Sequence, residues 1–147
     1  MYERAFALFL AWRGGIISAE EYNEYLDALF LEDMENELLL DLEIASYDFE
    51  ETKALLIDYV YYTGHSINYT AFGKALFGVV EKAYRSNAVE IEEFGRRAYS
   101  VWRLLSEDIW YDEPFLTLNY ADDCLSYGDE AQTRGLYETA FAYDWDA

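Results

Sequence analysis

Hydrophobic residues recur at the spacing of an α-helix along nearly the whole chain. In the clearest case, Tyr22, Tyr25, Leu26, Leu29 and Phe30 follow the i, i+3, i+4, i+7, i+8 pattern of one buried helix face. Similar stripes occur in segments 38–45, 52–60, 72–83, 91–105 and 133–141, and residues 5–12 form a continuous apolar run. The pattern predicts an all-α fold, a single-domain bundle of six or seven helices over residues 1–147, with roughly two-thirds of the residues helical.

Capping residues place the ends of these helices. Side chains that accept hydrogen bonds from a first helical turn stand before three of the stripes, and in each case a Glu or Gln follows three residues later. The pairs are Ser18/Glu21, Asp48/Glu51 and Asp129/Gln132, and Gly64 is the expected end of the fourth helix. Pro114 interrupts the helical pattern, and residues 115–120 are predicted to form a short extended piece. Phe94 and Trp102 are expected in the core.

Composition favours a folded protein without a membrane segment. Hydrophobic residues make up 53% and aromatic residues 19% of the chain, which is too apolar for a disordered protein. The apolar run 5–12 is too short to span a bilayer, so we interpret it as a buried first helix. The single Cys124 excludes an internal disulfide and suits a reducing compartment. The expected location is the cytoplasm.

Acidic residues dominate the charge and are unevenly distributed. Thirty Asp and Glu face ten Lys and Arg, a net charge of -20. Residues 18–58 contain fourteen acids and one basic residue, and residues 107–147 contain eleven acids and one basic residue. A field of this kind repels nucleic acid and anionic membranes and attracts basic partners. It therefore favours a basic protein partner, with no direct binding of nucleic acid.

The acidic faces of the second and third helices are the first candidate for a binding site. One interpretation is a solvated face that keeps the protein soluble through its charge. The other is a docking surface for a site rich in Lys and Arg, with carboxylates in the place of phosphates. The charged contacts proposed are Glu24, Asp27, Glu32, Asp33, Glu37 and Asp41, with Tyr22 as an aromatic anchor. The acidic segment at Asp122 and Asp123 is a second candidate.

Catalytic and metal chemistry find little support in the sequence. His65 is the only histidine, so no second imidazole is present for a metal site, and a loop or capping role is expected for it. Nothing positions Cys124 beside His65 as a thiol–imidazole pair. The acids of segment 122–130 lack the alternating ligand pattern of a calcium loop. We therefore expect no enzymatic activity, no cofactor and no metal; a small enzyme or metal-binding module is the weakest alternative.

The C-terminal third resembles a known class of small acidic bacterial proteins. The segments 113–123 (EPFLTLNYADD) and 125–134 (LSYGDEAQTR) are similar to immunity proteins of polymorphic-toxin and contact-dependent inhibition systems. The resemblance implies a cytosolic protein that binds and neutralises one cognate toxin domain, often a basic nuclease. It implies no particular contact residues, because immunity proteins vary most where they touch their toxins.

A second class of proteins has the same composition. Small acidic phage inhibitors that imitate DNA act on restriction or CRISPR effectors, and a net charge of -20 fits them equally well. The neighbouring gene distinguishes the two: a toxin domain immediately upstream indicates immunity, and a phage early region indicates a nucleic-acid mimic.

Overall fold

Helices account for 71% of the residues, and no strand is present. The computed structural model describes residues 1–147, and the prediction of an all-α fold is confirmed. Eight α-helices and one 3₁₀ helix follow in the order α1 (Tyr2–Arg13), α2 (Ala19–Glu32), α3 (Glu37–Ile44), α4 (Phe49–Thr63), α5 (Tyr69–Ser86), α6 (Ile91–Leu104), α7 (Thr117–Tyr120), the 3₁₀ helix (Ala121–Tyr127) and α8 (Glu130–Phe141). The predicted number of six or seven is slightly low, because α7 is a single turn and too short to show a periodic stripe.

The segment after Pro114 is helical, so the predicted extended piece at residues 115–120 is wrong. Backbone amides of residues 116–119 donate to carbonyls three or four residues earlier. The Glu113 carboxylate accepts hydrogen bonds from the hydroxyls of Thr117, at 2.7 Å, and Tyr120, at 3.0 Å. These local bonds support a helical turn, and they cannot be read from the hydrophobic pattern.

The predicted helix ends are confirmed where side chains cap them. The Glu21 amide donates to Ser18 Oγ at 3.1 Å, and the Ser18 amide donates to Glu21 Oε1 at 3.0 Å, which completes a capping box. Asp48 and Asp129 accept hydrogen bonds from the amide three residues later in the same way. Gly64 ends α4 with φ at 67°, a left-handed conformation that favours glycine.

The first helix occupies the centre of the bundle. It packs most extensively against α5 and also contacts α2, α4 and α6. Nine of its twelve residues are buried. Aromatic rings fill the space around it: Phe6 lies 5.1 Å from Phe72, and Trp12 stacks on Tyr22 with ring centroids 4.3 Å apart.

Phe94 is buried as predicted, but Trp102 is only half-buried. The Trp102 ring stacks on Trp110 at 5.2 Å, and each indole N–H donates to the backbone carbonyl of the other residue, at 3.0 and 3.1 Å. Trp102 therefore joins α6 to the following connection instead of filling the core. Its amphipathic ring suits a position with one wet side.

We expect Phe72→Ala to destabilise the fold by about 3–5 kcal/mol, because Phe72 is fully buried among the rings of Phe6 and Phe115. Urea unfolding measures this loss. The matched control is Tyr61→Ala, at a highly exposed position on α4, which should change stability little. Equal effects of the two substitutions would contradict the central place of Phe72.

Candidate functional site

Helices α2 and α3 pack against each other across a short turn, and this hairpin carries most of the predicted contact residues. Asn36 makes the turn: its Oδ1 accepts a hydrogen bond from the Leu39 amide at 3.1 Å, and its Nδ2 donates to Asp33 Oδ2 at 3.4 Å. The inner faces of the two helices are buried through Leu26, Leu29, Leu39 and Leu42. This packing fixes which side chains face outwards.

All six predicted acids of this hairpin are exposed to solvent. Five of them, Glu24, Asp27, Asp33, Glu37 and Asp41, form no ion pair. Glu32 pairs with Arg4 of α1 at 2.8 Å, so its charge is partly neutralised within the molecule. The hairpin therefore presents an acidic outer face, as the periodicity predicts.

Tyr22 is not part of that face, and its predicted role as an aromatic anchor is wrong. Its side chain is 1% exposed and stacks on Trp12 in the core. The residue lies on the same stripe as Leu26 and Leu29, and this stripe packs against α1. Its hydroxyl is buried without a hydrogen-bond partner.

Four large aliphatic side chains on the hairpin are exposed and were not predicted. The exposed fractions are 70% for Leu31, 61% for Met34, 47% for Leu40 and 77% for Ile44. On α3, exposed Glu37, Leu40, Asp41 and Ile44 follow the i, i+3, i+4, i+7 spacing of one helix face. The sequence holds a signal for this, since three consecutive leucines at 38–40 cannot all point inwards from one helix. We call the exposed set of Glu24, Asp27, Leu31, Asp33, Met34, Glu37, Leu40, Asp41 and Ile44 the hairpin surface.

A partly buried carboxyl lies behind the hairpin surface. Burial, and then the neighbouring Asp27 carboxylate, raise the pKa of Glu43 to about 7. Its Oε1 atom is buried without a hydrogen-bond partner. Burial and the Glu43 carboxylate also raise the pKa of Tyr22. Negative charge is therefore crowded on α2 and α3, and the folded state carries it at a cost.

The second predicted site, at Asp122 and Asp123, lies in a different part of the fold. It belongs to the 3₁₀ helix, which packs against α6, α7 and α8. Asp122 is half-buried against α6: a Cβ added at Gly95 would lie 2.6 Å from the Asp122 Cβ. Burial and then Asp123 raise the pKa of Asp122. Asp123 alone is freely exposed, which leaves this segment a weaker candidate for a charged contact.

His65 pairs with a buried acid of α1, and Cys124 is buried in the 3₁₀ helix. The Nε2 atom of His65 lies 2.7 Å from Glu3 Oε1, which also accepts a hydrogen bond from the Asn68 amide at 3.2 Å. Burial acts to raise the pKa of Glu3, but these two hydrogen bonds outweigh it and the net shift is downwards. His65 thus compensates for a buried acid of the central helix. No group of three or more His, Cys, Asp or Glu is arranged to hold a metal ion.

The comparisons with known proteins leave the resemblance of the C-terminal third a prediction. The chain matches no protein-family model, and neither curated proteins nor solved structures give a match. None of the helices combines the length and apolar character needed to cross a membrane.

The raised pKa of Glu43 predicts a pH dependence of stability. Between about pH 4.5 and 7 the folded state holds a proton that the unfolded state releases, so stability falls as the pH rises through this range. Glu43→Gln removes this loss. Its melting temperature should be close to that of the wild type near pH 4.5 and exceed it increasingly up to about pH 7.

The control Glu24→Gln removes one charge from the exposed face of α2. Its difference in melting temperature from the wild type should not grow with pH in the same way, because the Glu24 carboxylate is exposed to water. Parallel curves for the two variants would contradict the assignment of the buried proton to Glu43.

Proposed function

We propose that this protein is an immunity protein: a stoichiometric inhibitor that binds a basic toxin domain, such as a nuclease, through the hairpin surface. The observation that carries the proposal is the mixture of side chains on the outer face of α3. Glu37 and Asp41 alternate there with Leu40 and Ile44, and all four are exposed. A cytoplasmic location and inhibition without turnover are part of the same proposal.

The aliphatic residues distinguish docking from simple solubility. A face that serves only to keep a protein soluble needs charge and gains nothing from exposed leucine and isoleucine. Apolar side chains grouped among polar ones mark surfaces that bind other proteins. Leu31, Met34, Leu40 and Ile44 provide such a group within the most acidic region of the chain. The combination fits a partner whose surface is both basic and partly apolar.

The two kinds of side chain have separate effects on binding. Unpaired carboxylates attract a basic domain from a distance and raise the association rate. Buried apolar contacts exclude water and slow dissociation. Carboxylates one helical turn apart lie about 6 Å from each other, so several can occupy a groove that otherwise holds phosphates. Inhibition then follows from occlusion of the groove.

A nucleic-acid mimic of the phage type is the second candidate, supported by the net charge of -20. For that role, charge at phosphate-like spacing is sufficient. Exposed aliphatic residues add apolar contact area, which a mimic of phosphate charge does not need. They therefore favour the immunity function over the nucleic-acid mimic. The identity of a co-purifying partner separates the two: a toxin domain inhibited at a 1:1 ratio supports immunity, whereas a restriction or CRISPR effector supports the mimic.

Charge reversal on the hairpin surface should abolish rapid association. The triple variant Glu24→Lys, Glu37→Lys and Asp41→Lys should weaken partner binding by about 100-fold, mainly through the association rate, because three attractive charges become repulsive. Surface plasmon resonance at low and high salt measures both effects. Asp27 is left unchanged because it acts on Glu43.

The matched control is the triple variant Glu107→Lys, Asp108→Lys and Asp112→Lys, at exposed positions between α6 and α7. It changes the net charge by the same amount. If both triple variants lose the same affinity, the effect belongs to overall charge and the hairpin surface is not the interface.

Substitution of the exposed aliphatic residues should raise the dissociation rate. Leu40→Ser and Ile44→Ser should each speed dissociation about tenfold and leave association nearly unchanged, because they remove apolar contact without changing charge. Stability should hold, since both side chains are exposed. Ile57→Ser, at an exposed position on α4, is the control. Unchanged dissociation in both α3 variants would contradict an apolar contact at this face.

A further inference from the structure

An apolar groove runs between α1 and α4 beside the end of α6. Its volume is about 560 Å³, and ten of its fourteen lining residues are hydrophobic. Pockets that bind small molecules have volumes of about 300–1,000 Å³ and are lined mainly by such residues. Phe6, Phe9 and Phe49 form part of its wall, and exposed Ile57 and Leu104 lie on its rim. The groove does not involve the hairpin surface.

Three of the four cations without an acidic partner line this groove. Six of the ten Lys and Arg side chains form ion pairs with carboxylates: Arg4, Lys74, Arg85, Arg96, Arg97 and Arg134. Four do not, and three of these, Arg13, Lys53 and Arg103, line the groove. The fourth, Lys82, lies over the Tyr25 ring elsewhere. In a chain with thirty acids, unpaired cations at one apolar site need an explanation.

The local structure explains how these charges are held. The Arg13 guanidinium lies over the Phe49 ring, 5.1 Å from its centroid, so an aromatic wall of the groove positions it. Lys53 follows Phe49 by one helical turn and precedes Ile57 by one, which places all three on one face of α4. Glu50 is the only acid in the lining, and it pairs with none of the three cations.

Helix dipoles account for only part of the arrangement. Arg13 and Arg103 lie in the last turns of α1 and α6, where positive charge is favourable. Lys53 has no such reason, because it lies in the second turn of α4, far from the C-terminal end of that helix. The helix ends therefore leave the position of Lys53 at this groove unexplained.

The geometry points to a binding site for a small amphipathic carboxylate, such as a medium- or long-chain fatty acid. The apolar chain lies in the groove against α1 and α4, and the carboxylate pairs with Arg13, Lys53 and Arg103. The overall charge of the protein repels anions, so an anionic ligand needs a local set of cations to bind. A neutral or cationic amphipath would leave these three charges unused.

Isothermal titration calorimetry with dodecanoate, at concentrations where it is monomeric, tests the site on the whole protein. We expect saturable 1:1 binding. Lys53→Gln and Arg103→Gln should each weaken it about tenfold, because each removes a charge-assisted hydrogen bond to the carboxylate. Dodecanol should bind at least tenfold more weakly than dodecanoate. Ile57→Glu, which changes an exposed residue and leaves the core intact, should abolish binding through a charge in the groove wall.

The control is Lys82→Gln, which removes an unpaired cation outside the groove and should leave the affinity unchanged. Equal binding of dodecanol and dodecanoate, an equal loss in Lys82→Gln, or no saturable binding would each overturn the proposal. Binding to phosphatidylglycerol vesicles without binding of monomeric dodecanoate would also overturn it, in favour of a membrane surface. These measurements need no toxin partner, so their outcome is independent of the proposed immunity function.

Discussion

The rest of the structure depends on the burial of most of α1. A twelve-residue helix with nine buried residues must be enclosed by several neighbours, and α2, α4, α5 and α6 supply them. Its one buried acid, Glu3, needs compensation, which His65 and the Asn68 amide provide. At its end, a Cβ on Gly14 would lie 2.4 Å from a methyl group of Val101, so glycine allows α6 to approach closely. The enclosing helices thus turn their apolar stripes towards α1 and their polar faces outwards.

This arrangement places the unpaired acids on the outer faces of the helices, away from the core. The outer faces of α2 and α3 carry acids that are mostly unpaired, and burial, followed by the neighbouring Asp27 carboxylate, raises the pKa of Glu43 behind them to about 7. Six of the ten Lys and Arg side chains, on α1, α5, α6 and α8, form ion pairs with carboxylates. Three of the four that remain, Arg13, Lys53 and Arg103, line the groove between α1 and α4. The fold therefore separates an anionic surface from a cationic groove, and each combines charge with exposed apolar groups.

That combination matters because charge acts mainly on the association rate, whereas apolar contact acts mainly on the dissociation rate. Charge alone gives fast but weak and unselective association, and apolar area alone promotes aggregation. A surface that interleaves the two, as Glu37, Leu40, Asp41 and Ile44 do, selects partners that match both. Loss of either component should therefore be visible in a different rate constant.

The sequence by itself determined the fold class, the helix ends that side chains cap, and the exposure of the six predicted acids on α2 and α3. Helical periodicity and capping side chains act over three to eight residues, so Ser18, Asp48 and Asp129 could be recognised locally. The same periodicity places an acid opposite an apolar stripe on the solvent side. Local signals do not decide where an amphipathic ring goes, so Tyr22 was expected outside and Trp102 inside, and both expectations were wrong. Only the tertiary structure decided that Leu40 and Ile44 remain uncovered, and that Arg13, Lys53 and Arg103 meet at one groove. The physical reason is that these features depend on which helices pack against each other. Arg13 and Arg103 are ninety positions apart in sequence, so no local pattern shows that they line the same groove.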